Sequence, residues 1–97
     1  MAKLAIVATF KVAPEKRDEY LTHMKAHAER CRATEPGILQ FDILVPRNEP
    51  DTLILYEVYA SDEAFQTHWN GQSILQFRQD AKGIEASLKG TRCELIE

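Results

Sequence analysis

One short segment, LILYEVYASDEAFQTHWN from Leu53 to Asn70, carries an acid, an imidazole and the chain's single tryptophan. Glu57 stands between two tyrosines on a run that alternates in polarity. His68 and Trp69 close the helix-like stretch that follows. Histidine exchanges a proton near neutral pH, so His68 is the first candidate for a general base. Glu57 alternates onto the face shared by Leu55 and Tyr59. If that face meets helices, the carboxylate is buried and needs a partner; His68 or a substrate hydroxyl would serve. Trp69 offers an aromatic wall. Tyr56, Tyr59 and Phe41 are candidates for the same wall, and Arg78 could neutralise an anionic oxygen or a phosphate. Each of these residues also has a plain structural reading as packing, a satisfied hydrogen bond or a solvated flank.

A second pattern is Glu19, His23 and His27, spaced by four on one helix face, as a metal site would require. The remaining ligands are missing and His23 falls toward the wet side, so no metal is expected there. Cys31 and Cys93 match no metal or redox spacing and read as small buried apolar residues, unpaired in a reducing cytoplasm. Phosphate-cradling glycine motifs, nucleophile elbows and zinc-finger spacings are absent.

These side chains need a scaffold, and 97 residues provide for one domain. Lys3 to Val12 alternates with period two, apolar on both faces, and predicts a strand. Ala13-Pro14-Glu15 switches the period. Tyr20, Met24, His27 and Cys31, with Leu21 and Ala28, mark an amphipathic helix of about five turns, stopped by Pro36-Gly37. Ile38 to Val45 and Leu53 to Tyr59 predict a hairpin across the breaker-rich Pro46–Thr52 turn. Ser61 is a plausible N-cap for a helix running to Trp69. A third helix starts near Ser73, with Ile74, Phe77 and Ala81 inward, and Gly83 ends it. Ile84 to Gly90 reads as irregular, and Thr91 to Ile96 as the last strand.

The order is βαββαβ with an extra helix, the ferredoxin-like α+β arrangement with a four-stranded antiparallel sheet. Helices cover one face of such a sheet. The other face is also apolar, so a homodimer through the sheet faces is expected. The net charge of −3 and the lack of a Lys/Arg stripe argue against nucleic acid. MAKLAIVATFKV is too short and too alternating for a signal peptide. No run approaches the roughly 18–20 apolar residues of a membrane span. A cytoplasmic protein is expected.

The stretches EPGILQFDIL (Glu35 to Leu44) and YEVYASDEAFQTHW (Tyr56 to Trp69), with the helix after Asn70, resemble the antibiotic biosynthesis monooxygenase (ABM) family. There they correspond to an E-x-G turn into a strand, an E-x-[YW] strand end and an A-x-x-x-H helix. The resemblance spans nearly the whole chain and is nearest to the branch with quinol and anthrone monooxygenases and the enzyme that processes a phosphorylated autoinducer. It implies a dimeric α/β barrel, a pocket in each subunit between helices and sheet, and cofactor-free oxidation of a small aromatic substrate by O2, with His68 as base. An isomerase acting on a small phosphorylated or polyhydroxy carbonyl compound, or a non-catalytic small-molecule-binding dimer, are the alternatives. Haem-degrading relatives need residues that Thr9, His68 and Arg78 do not match.

Overall fold

A computed structural model describes residues 2–97. Strand β1 (Leu4–Val12) leads through a 3-10 turn (Pro14–Lys16) into helix α1 (Arg17–Thr34). Strands β2 (Ile38–Leu44) and β3 (Thr52–Tyr59), helices α2 (Asp62–Trp69) and α3 (Gln72–Asp80), and strand β4 (Ala86–Glu94) follow. All pairings are antiparallel and the strand order is β2-β3-β1-β4. This is the ferredoxin-like α+β fold that the sequence predicts, with every helix on one face of the sheet. No helix among the described residues is long and apolar enough to cross a membrane.

The periodicity of α1 is realised as read. Tyr20, Met24, His27, Ala28 and Cys31 are its buried residues. On β1, Leu4, Ile6, Ala8, Phe10 and Val12 are all buried beneath the helices. On β3, Leu53, Leu55, Glu57 and Tyr59 take the same face, at 0%, 3%, 6% and 0% exposure. Alternation therefore delivers Glu57 to the helix side, because successive strand side chains point to opposite faces.

The last strand differs from expectation. It begins at Ala86 and ends at Glu94 instead of running from Thr91 to Ile96. The reason is pairing: β1 is matched residue by residue from Val12↔Ala86 to Leu4↔Glu94. The backbone groups on that side of β1 need partners whatever side chains the partner strand carries. Ala86, Leu88, Gly90 and Arg92 consequently share the helix side of the sheet, opposite Val12, Phe10, Ala8 and Ile6. Cys93 falls on the outer face and is half-buried, unlike the fully buried Cys31; both are free thiols.

Two positions bring α2 onto the sheet. Ser61 caps the helix, its Oγ accepting from the Ala64 N–H at 3.1 Å. Gly37, at the start of β2, passes so close to α2 that a Cβ there would lie 2.6 Å from Ala64 Cβ. The Ala60 N–H donates to the Gly37 carbonyl at 2.9 Å and holds the approach. Gly37→Ala is expected to push α2 outward and cost about 1–3 kcal/mol, the usual penalty of overpacking. In a domain of this size that lowers the melting temperature by roughly 5–20 °C, measurable by thermal denaturation followed by circular dichroism.

Candidate active site

The helices cover the sheet unevenly. Helix α1 packs on β2 and β3, and α2 on β3. Strand β4 is exposed along its length apart from half-buried Cys93. Above β1 and β4 lies a cavity of about 460 Å³, within the ordinary range for small-molecule sites. Its floor is shallowest in side chains at the pair Ala8↔Gly90. A Cβ on Gly90 would meet nothing within 4 Å. Ile6, Phe10, Leu55 and Leu88 continue the floor, and Phe65, Trp69, Ile74 and Phe77 form the helical walls. His27, Glu57, His68, Arg78 and Arg92 also line it, as does Tyr20.

His68 sits in the last turn of α2, at 3% exposure. Its Nδ1 lies 2.9 Å from Glu35 Oε1. A carboxylate only accepts, so Nδ1 carries the proton and Nε2 is left as the basic nitrogen. Glu35 reaches this place because Pro36 follows it. The residue before proline is driven to extended backbone, and Glu35 has φ −122° and ψ 91°. That turn ends α1, the Glu35 N–H still donating to the Cys31 carbonyl at 3.0 Å. The sequence offered Glu57 as a partner for His68 or for a substrate hydroxyl; the carboxylate bonded to His68 is Glu35. Its only sequence signal is its place in the E-x-G turn, which says nothing of the partner 33 positions away.

Glu57 is held differently. The Tyr59 hydroxyl donates to its Oε1 at 2.5 Å. Burial pushes the Glu57 carboxyl up from the usual range, against the opposing effects of the Tyr59 hydrogen bond and nearby His68. Burial also raises the Tyr59 hydroxyl, and the Glu57 charge adds to it. Tyr59 thus remains a phenol and a donor. Glu57 and Ile6 are cross-strand neighbours, as are Ile6 and Arg92. Glu57 and Arg92 therefore share one row of the floor, two strands apart, or roughly 10 Å between their backbones.

Three expected pocket residues lie elsewhere. Tyr59 and Phe41 are buried behind His68, each with its ring centroid 5.7 Å from the imidazole, and they do not border the cavity. They fix the ring in place. Tyr56 is half-buried on the opposite face of the sheet, because it is one residue out of phase with Glu57. Trp69 and Arg78 do line the cavity. Trp69 is 43% exposed and stands at the mouth.

The series Glu19, His23 and His27 does not converge: Glu19 is exposed and His23 half-exposed, while His27 turns inward. The cluster that forms is His27, Cys31 and His68, all buried, with donor atoms within 4.8 Å of one another. Two imidazoles and a thiol are a donor set for a borderline-soft cation such as zinc. The same groups also satisfy one another. His27 Nδ1 donates to the Ser73 carbonyl at 3.2 Å, leaving Nε2 as acceptor 3.6 Å from Cys31 Sγ. Burial, reinforced by Glu35, pushes the Cys31 thiol up to about 12. It is a protonated packing group and not a nucleophile. Burial, and then the neighbouring His68, lowers His27 to about 4.

The ABM family model, described as antibiotic biosynthesis monooxygenase, matches residues 4–80. A Bacillus subtilis (strain 168) protein named "Putative monooxygenase YcnE" is 30% identical over 95 residues, covering 97% of this chain and 99% of that one. Among solved structures, a protein titled "putative antibiotic biosynthesis monooxygenase" from Caulobacter crescentus CB15 superposes with a TM-score of 0.90 at 23% identity, covering 99% of this chain and 92% of that one. PA3566 from Pseudomonas aeruginosa superposes with a TM-score of 0.88 at 22% identity, covering 100% and 97%. These likenesses place the fold among small α+β proteins of the ABM type. The chain belongs to the antibiotic biosynthesis monooxygenase family.

The depressed His27 has a consequence for stability. The unfolded chain protonates this residue near its ordinary value of 6.5 and the folded chain near 4. Between those values the unfolded state binds more protons, so stability falls as pH falls. Relative to His27→Gln, the protein is expected to lose on the order of 3 kcal/mol between pH 7 and pH 4. Glu57 acts in the opposite sense, since its raised carboxyl is protonated earlier in the fold than in the unfolded chain. Urea titrations of both proteins across this range check the difference, because the Glu57 contribution is common to the two.

Proposed function

We propose that the protein is a cofactor-independent monooxygenase that oxidises a small hydroxyaromatic compound of the quinol or anthrone type with O2. The observation that carries this reading is the Glu35–His68 pair on the wall of a largely apolar cavity. Such substrates supply their own electrons once deprotonated. The protein's part is then to remove a proton, exclude water and hold the ring in place.

In the proposed sequence, neutral His68 takes a proton from the substrate through Nε2. Glu35 stabilises the imidazolium that forms, as a buried carboxylate does in other acid–histidine pairs. The substrate anion passes one electron to O2, giving a substrate radical and superoxide. These combine in a C–O bond, and His68 returns the proton to the resulting hydroperoxide anion. Loss of water turns C–OOH into C=O. The balance is CH2 + O2 → C=O + H2O. The apolar walls favour O2 and the neutral radical over water. Glu57, locked by Tyr59, stands along the floor to receive a substrate hydroxyl.

Oxygen uptake with reduced naphthoquinones and anthrones, corrected for autoxidation, tests the reading. His68→Ala is expected to lower turnover about 10²–10⁴-fold. Glu35→Gln keeps the shape but loses the charge, and should cost about 10²-fold or more. Uptake that is unchanged in both variants would sink the assignment. Turnover that persists without oxygen would support the isomerase instead.

The outer sheet face supports self-association. Val7, Ile54 and Tyr56 are half-buried there with no helix over them, and Leu44 is 49% exposed. A second copy, face to face, would bury this surface under two-fold symmetry. Sedimentation equilibrium should give twice the 11.1 kDa chain mass. Ile54→Glu should give the single chain.

A further inference from the structure

We propose that the substrate of this cavity is an aromatic acid, its carboxylate clamped at the mouth by Arg78 and Arg92; this rests on reading the cavity as the substrate site. The two arginines come from different elements, α3 and β4, and both border the cavity. Arg92 occupies a helix-side register position of β4, in line with Ala86, Leu88 and Gly90. Arg78 and Arg92 are both exposed, so water solvates them in the empty cavity and an incoming anion can reach both.

Neither arginine belongs to an ion pair among the described residues. Arg17 and Arg32, by contrast, each donate to a backbone carbonyl. Arg78 and Arg92 are held by aromatic faces instead. Arg78 Cζ lies 5.1 Å from the Trp69 ring centroid, and Arg92 Cζ 4.8 Å from that of Phe65. Those rings are one helical turn apart on α2 and stack on each other, 6.0 Å between centroids at 27°.

A guanidinium carbon held over a ring does not commit its N–H groups to a protein acceptor. Those groups match a carboxylate in two-point fashion. The cavity thus has a cationic mouth, an apolar middle and an inner end with His68 and Glu57. A hydroxyaryl carboxylate fits that order: acid at the arginines, rings over Ala8 and Gly90, hydroxyl toward His68. In a chain of net charge −3, a local cationic rim also attracts anions to this one opening.

Redox-inert probes test the clamp apart from catalysis. Anthraquinone-2-carboxylate and its neutral counterpart 2-(hydroxymethyl)anthraquinone would be titrated calorimetrically into the full chain and into R78Q, R92Q and the double variant. The acid is expected to bind about tenfold more tightly than the alcohol. Each single variant should weaken the acid about 3–10-fold, leave the alcohol within about twofold, and reduce the salt dependence. Equal binding of acid and alcohol, or equal losses for both, overturns the clamp while leaving the cavity as the substrate site. Binding of neither probe overturns both.

Discussion

The hydrogen bond from His68 Nδ1 to Glu35 is the constraint on which the site depends. It joins the end of α1 to the end of α2 and selects the tautomer with Nε2 unprotonated. Local features make it possible. Pro36 turns the chain at Glu35, Gly37 lets α2 approach, and the Ser61 cap starts α2 at the right residue. Behind the imidazole, Phe41, Tyr59 and His27 pack at centroid distances of 5.7, 5.7 and 5.5 Å and limit its rotation. An imidazole held this way has little freedom left to lose.

The cavity has a different origin. It exists because the helices lie over β2 and β3 while β4 pairs to β1 beyond their reach. Small residues at Ala8 and Gly90 deepen the floor where the cover is thinnest. Burial of polar groups then sorts the roles: His27 stays neutral and Cys31 stays a thiol. Glu57 is pushed up by burial, and the hydrogen bond from Tyr59 opposes that shift. Four ionisable groups in a small volume would repel or neutralise one another without this sorting.

Much of the fold was legible. The i, i+4, i+7 series on α1 named its buried face, and the alternation of β3 put Glu57 beneath the helices. The extent of β4 was not legible, because Ala86 to Gly90 has a weak strand composition and is held by the backbone of β1. Of the site, His68, Glu57, Trp69 and Arg78 were singled out and border the cavity. Tyr59 and Phe41 lie one layer behind it, and Tyr56 faces away. Glu35 and Arg92 were missed, since neither has a local pattern that marks it.

The sequence by itself determined the element order, the faces of each strand and helix, and the family to which the chain belongs. Those follow from periods of two and 3.6 and from short motifs, which are local properties. Only the tertiary structure decided which carboxylate holds His68, which arginines flank the mouth and where empty space remains. These depend on the meeting of α1 with α2 and of β1 with β4, segments distant in sequence. A contact between distant segments is set by packing and backbone pairing, and no single segment encodes it.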